Sequence, residues 1–208
     1  MPSRDHEVTG IAIRGSIIEK IALIAGNSKV SELGTTTFQL RCGSERQGDQ
    51  CIWPRSRYGP SEWPTVMLEV GYSQTLASLQ HDAVTWLDNS FGQIKFVILA
   101  KIKRNPRSLR IQCWKICPTG HRRARQTRSE MPTCDQDFDI NYAGVVTSRN
   151  GSTQLTIPYN CIFDDIPTPQ PLDVVFTFAE LSSMGQSIFK DIECKVLPIL
   201  STLYLIFV

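Results

Sequence analysis

One stretch constrains the fold more than any other: Trp63 to Ile102, WPTVMLEVGYSQTLASLQHDAVTWLDNSFGQIKFVILAKI. Thr65 to Val70 is a short apolar run, β-branched at both ends, and reads as a buried strand with Glu69 near its carboxyl end. A carboxylate in such a place is costly unless it has a task. After Gly71 the spacing turns helical. Leu76, Leu79, Ala83, Trp86 and Leu87 share one face from Ser73 to about Asn89, and Phe91 and Gly92 then turn the chain into a second aliphatic strand, Ile94 to Ile102. Strand, crossover helix and strand imply a parallel pair with a helix laid on the sheet. Ligands of such units sit beyond the carboxyl ends of the strands, where Glu69 and Gly71 fall.

The flanks extend this block. Residues 1–10 are polar and read as a loose lead, and Ile11 to Val30 repeats isoleucine at helical spacing, with Glu19 and Lys20 on the helix and Gly26 and Asn27 as its stop. LGTTTFQL (Leu33 to Leu40) reads as the first strand and Cys51 to Trp53 as the second, with Asp49 just ahead of it. Past Ile102, SLRIQCWKI alternates like a strand, whereas PTGHRRARQTRSEMPTCDQD is polar and unperiodic and reads as loop or disorder. Gly151 to Ile157 and Asp173 to Phe178 read as further strands, and AELSSMGQSIF as a short closing helix.

At 208 residues the chain suits one domain with a full core. Its 22 basic and 20 acidic residues nearly cancel, but their distribution is uneven. No acid occurs between Asn89 and Ser129, where Lys101, Lys103, Arg104, Arg107, Arg122, Arg123 and Arg125 gather, while ten acids face three bases from Glu130 onward. Such a stripe fits a polyanionic partner, and equally a solvated face or loop. The cysteines are odd in number, seven, and form no CxxC pair, which argues for scattered reduced thiols rather than a disulfide framework or zinc site. The opening MPSRDHEVTG is not a secretory signal, so an intracellular setting, nucleus or cytoplasm, is expected. VLPILSTLYLIFV, within an apolar tail over 191–208, is shorter than a membrane span of about twenty residues. It reads as a buried strand, a tail anchor, or translation past the true end of the gene, the last being preferred.

Three motifs lie in order along residues 11–190: Trp63, Pro64, Thr65, Glu69, Gly71 and Ser73; then Leu79, Asp82, Ala83, Trp86, Leu87 and Ser90; then Ile94, Lys95, Val97 and Leu99. They resemble the fungal branch of the PD-(D/E)XK nuclease superfamily, described as restriction-endonuclease-like domains. The resemblance implies an α/β (α+β) fold: a restriction-endonuclease-like core with a mixed sheet in the order αβββαβ, plus C-terminal β additions. It implies an endonuclease hydrolysing DNA with Mg²⁺ or Mn²⁺ and no small-molecule cofactor, nucleic acid as partner with a homodimer left open, and no membrane association unless the tail is an anchor. Asp49, followed by Trp53 and Pro54, and Glu69 match the paired carboxylates, with Arg46 or Gln47 where a lysine is expected; Glu19 matches an acid that joins the metal cluster in many relatives. Hard oxygen ligands suit either metal.

The chain departs from that pattern at one position. The superfamily's E-x-K lysine falls on Gly71, and the following helix offers only Gln80, His81 and Asp82. Lys95 heads the next strand, at the edge opposite Glu69 if the strands are parallel. Two functions follow from the sequence: a metal-dependent nuclease with a degenerate active site, or an inactive nuclease fold that binds nucleic acid or a protein. Glu69 also has a purely structural reading, as an acceptor for the amides that open the helix after it.

Overall fold

The computed structural model describes residues 3–26, 29–33, 36–41, 43–57, 62–118, 130–169 and 171–194. Its centre is a mixed sheet in the order β1 (Val30–Leu33), β4 (Gln50–Pro54), β5 (Val66–Gly71), β6 (Phe96–Arg104), β7 (Arg107–Pro118), β8 (Glu130–Asn141) and β9 (Val146–Ser148). β5 and β6 run parallel, from Val66 beside Phe96 to Gly71 beside Lys101, and every other neighbouring pair is antiparallel. The fold is therefore of the mixed α+β class. Helix α2 (Leu76–Asn89) makes the crossover from β5 to β6, opened by Thr75, whose hydroxyl accepts from the Ser78 amide at 3.1 Å. Two small antiparallel pairs complete the chain, β2 (Thr36–Gln39) with β3 (Glu45–Gly48) and β10 (Leu155–Ile157) with β11 (Val174–Phe176).

The alternation of β5 and β6 divides the core. Val66, Leu68, Val70, Ile98, Ala100 and Ile102 face one side, which is covered by α1 (Arg4–Ala25) through Ile13, Ile17 and Ile21 and by α4 (Phe178–Glu193) through Leu181, Ile188 and Phe189. Met67, Val97 and Leu99 face the other, covered by Leu79, Ala83, Trp86 and Leu87 of α2 and by Phe38 of the β2–β3 hairpin. Both faces of the parallel pair are buried, which explains the unbroken apolar runs of its sequence.

Several elements differ from expectation. The lead expected to be loose is the start of α1 from Arg4 onward: Ser3 caps the helix, accepting from the His6 amide at 3.3 Å, and Asp5 and Glu7 sit in the first turn. These polar residues oppose the positive end of the helix dipole, so polarity here marks a helix start rather than a loose chain. The expected first strand is two strands, β1 on the main sheet and β2 in the hairpin. Glu130 to Asp137, the end of the segment expected as loop or disorder, belongs instead to the long strand β8. Its Phe138 and Ile140 enter the core, while Asp137 and Asp139 on the opposite face pair with Arg110 and Arg149, so the apolar alternation is short and flanked by charge. Arg122, Arg123, Arg125 and the tail from 195 onward lie outside the described residues. Among the described residues no helix is long and apolar enough to cross a membrane.

Candidate active site

The β4–β5 pairing dictates where the acids meet. Gln50 stands opposite Leu68, so the preceding residue, Asp49, comes opposite Glu69 at the carboxyl end of β5. The two carboxyls are close enough that each shifts the pKa of the other. Glu69 is only 6% exposed, and its Oε1 accepts from the Trp86 indole of α2 at 2.6 Å. Asp49 Oδ2 accepts from the Val70 amide at 2.9 Å and lies 2.9 Å from Nε2 of His6, which arrives from the first turn of α1. Acids twenty positions apart in sequence are thus held in one contact by a strand pair, an indole and a helix start.

Their protonation follows from these surroundings. Burial and the adjacent Asp49 charge push Glu69 well above the usual carboxylate range, against the weaker pull of Trp86 and Arg46. Burial also opposes the charge on Asp49, but the His6 and Val70 hydrogen bonds overcome it and hold the group below its ordinary value. His6 is raised, chiefly by its hydrogen bond to Asp49. The surroundings thus favour a proton on Glu69 and a negative charge on Asp49, which faces an imidazole that favours its charged form. Two carboxylates in contact cannot both ionise cheaply without a cation between or beside them.

One cationic side chain acts on the pair directly, and a second stands on the same sheet face. Arg46, on β3, stacks over the Trp86 ring at 5.4 Å and is ion-paired with Asp82 of α2, which also accepts from Gln74 at 2.5 Å. Of the two candidates for the expected lysine position, Arg46 is the one whose charge reaches Glu69; Gln47 is exposed. Lys101 is the cross-strand partner of Gly71, on the sheet face that carries Glu69, and its ammonium donates to the Tyr72 carbonyl at 2.7 Å. Burial, then repulsion from Lys103, lowers its pKa. Gly71 is closely packed: a Cβ there would meet Leu79 Cδ2 at 3.0 Å and Lys101 Cδ at 3.4 Å.

The remaining predicted residues are dispersed. Glu19 is exposed far along α1, roughly 20 Å from His6 at 1.5 Å per residue, in a groove with Lys20 and Glu180; it does not join the acid pair. The acid expected from the first helix is replaced there by a histidine of its first turn. Lys95 lies at the opposite end of the parallel pair, donating to the Asn160 and Phe163 carbonyls and paired with Asp164 at 2.9 Å. Glu69 does not serve the helix start, which Thr75 caps. Lys103, Arg104 and Arg107 cluster at the β6–β7 turn, where Arg104 covers the Tyr72 ring at 4.3 Å and Arg107 pairs with Glu193.

His6 and the role of Trp86 escaped the sequence reading. Only the cap signal of Ser3 followed by Asp5 and Glu7 hints that His6 is helical and therefore fixed. Among the described residues no group of three or more His, Cys, Asp and Glu side chains is disposed to hold a metal ion. Two acidic carboxyls in contact nevertheless fit a magnesium-type ion, which keeps most of its waters and takes one or two carboxylates from the protein. No protein-family model and no curated protein matches this chain.

Proposed function

We propose that Asp49 and Glu69 form the metal-holding centre of a phosphodiesterase of the PD-(D/E)XK kind, acting on nucleic acid, with DNA the favoured substrate. The observation that carries this reading is the pair itself: a buried carboxyl and a half-buried one from adjacent antiparallel strands, brought together at the carboxyl end of a parallel strand. The succession α1, β1, β4, β5, α2, β6 supports it, with the β2–β3 hairpin as an insertion. Mg²⁺ or Mn²⁺ held there would lower the pKa of its water and offset charge growing on the phosphate.

The chain's own residues do the rest. The Val70 amide and His6 orient Asp49, and the Trp86 indole fixes the rotamer of Glu69. Lys101 takes the part of the cation that Gly71 cannot supply, from the adjacent strand, where its depressed pKa also eases proton transfer. Lys103, Arg104 and Arg107 hold flanking phosphates without reading sequence, since phosphate contacts carry none.

A second reading, a nuclease fold that binds nucleic acid without cleaving it, is favoured by one observation: Asp49 Oδ2 is already engaged by both His6 and the Val70 amide. Titration calorimetry of Mn²⁺ and Mg²⁺ into wild type, Asp49→Ala and Glu69→Ala, followed by plasmid nicking on the same samples, separates the two. Metal binding lost in both variants together with metal-dependent nicking by wild type upholds the first. Absence of metal binding at millimolar concentration eliminates it.

A further inference from the structure

A cavity of about 430 Å³ lies where the β6–β7 turn meets the first turn of α1 and the end of α4. Three cations, Lys103, Arg104 and Arg107, line it, together with the Tyr72 ring and the carboxylates of Asp5 and Glu193. Ile102 and Ile192 supply its apolar surface. We propose that this cavity binds one nucleotide, the terminal unit of a strand carrying a phosphate monoester. The inference rests on the nuclease reading above and gives a narrower task to the three basic side chains that reading sets beside flanking phosphates.

The charge arrangement argues for a single unit rather than a passing strand. Arg107 is compensated by Glu193, whereas Lys103 and Arg104 have no carboxylate partner among the described residues and are exposed, so net positive charge belongs to these two. A phosphate monoester, with more charge and more acceptor oxygens than a diester, suits such a pair. The acids Asp5 and Glu193 would repel a second phosphate continuing inward, but they accept hydrogen bonds from a ribose hydroxyl or a base amino group. The buried Tyr72 hydroxyl has no hydrogen-bond partner among the described residues, and the isoleucines offer a base an apolar surface. The volume falls within the range of roughly 300–1,000 Å³ typical of small-ligand pockets.

Position ties the cavity to the acid pair. Asp5 precedes His6, which contacts Asp49, and Tyr72 follows Gly71, with its carbonyl held by Lys101. The cavity thus adjoins, through Asp5–His6 and Gly71–Tyr72, the segments that carry the acid pair.

The test is calorimetric titration of adenosine 5′-monophosphate into the full chain in EDTA, so that neither metal nor cleavage contributes. One-to-one binding is expected, retained in Asp49→Ala and weakened about tenfold or more by Lys103→Ala or Arg104→Ala, with adenosine weaker by a similar factor. Circular dichroism checks that these surface variants fold. Displacement of the nucleotide by a 5′-phosphorylated single strand, but not by a circular one, identifies a strand end as the ligand; displacement by neither identifies a free nucleotide and overturns the strand-end assignment. No binding at millimolar concentration, or binding indifferent to both substitutions, overturns the site. Loss of nicking with nucleotide binding intact would overturn only the nuclease reading.

Discussion

Lys101 stands directly across the parallel β5–β6 pair from Gly71, and its Cδ would lie 3.4 Å from a Cβ built on that glycine. Adjacent positions of parallel strands project to the same face, so a cation missing from one strand can come from its neighbour. A side chain at residue 71 would meet Leu79 Cδ2 at 3.0 Å, so a cation on β5 itself would require that leucine to shift. Under the proposed function, Lys101→Met retains Mn²⁺ affinity within a few-fold and loses about 10²-fold or more of the nicking rate, the usual loss for a positioned proton-transfer or charge-stabilising group. Metal titration and plasmid nicking on the same samples check both expectations. Full activity in Lys101→Met would remove the lysine from the mechanism.

Glu69 separates structure from chemistry by a single atom. Glutamine keeps a carbonyl for the Trp86 indole and, like the protonated acid, carries a donor beside Asp49. Glu69→Gln is therefore expected to change unfolding free energy by less than about 1 kcal/mol while removing metal binding. Glu69→Ala leaves the buried indole unpaired and opens a void, at a cost of about 2 kcal/mol. Urea denaturation of both variants beside wild type measures the difference. Equal destabilisation by the two would mean that the hydrogen bonds are not the reason for the acid's placement.

The sequence announced the part of this site that lies on apolar elements. β5, α2 and β6 were legible because burial on both faces writes continuous apolar runs, and the acid in one run, Glu69, stands out against them. Asp49 was legible only through the resemblance, since nothing local marks a residue between two short strands. His6 was hidden because its helix begins in polar residues whose value lies in capping and dipole compensation, and those read equally as loose chain. β8 was hidden for a related reason: its outward face is charged in register with Arg110 and Arg149, a pairing that no single strand reveals. Lys101 was recognisable as basic, but its partnership with Gly71 depends on strand register, which spacing alone did not yield.

The acid pair gives the metal-free protein a pH dependence of definite sign. Glu69 and His6 both have raised pKa values, so each contributes stability that is intact at low pH and fades as pH rises through its folded value. Asp49 is depressed and acts oppositely, its contribution fading only as pH falls below the ordinary carboxylate range near about 4. The metal-free chain should thus be more stable at mildly acidic pH than near pH 8. Calorimetric melting in EDTA across that range measures the slope, and Glu69→Gln and His6→Gln should each flatten it. Stability rising steadily from acid to alkaline pH would refute the protonated Glu69.

Metal binding must then compete with that proton. A divalent ion needs both carboxyls ionised, and burial together with the Asp49 charge favours the protonated form of Glu69, so ion binding should be accompanied by proton release. The expulsion is readable without any assay of cleavage. Mn²⁺ titrated at pH 6.5 in buffers of different ionisation enthalpy should give apparent heats that differ in proportion, and apparent affinity should rise with pH until Glu69 is ionised in the free protein, where both trends level off. His6 bears on the same balance. Its imidazolium supplies the positive charge nearest Asp49 when no metal is present, so His6→Gln should raise Mn²⁺ affinity while leaving the proton released from Glu69 in place. Buffer-independent heats in wild type would mean that the ion binds elsewhere than between these two acids.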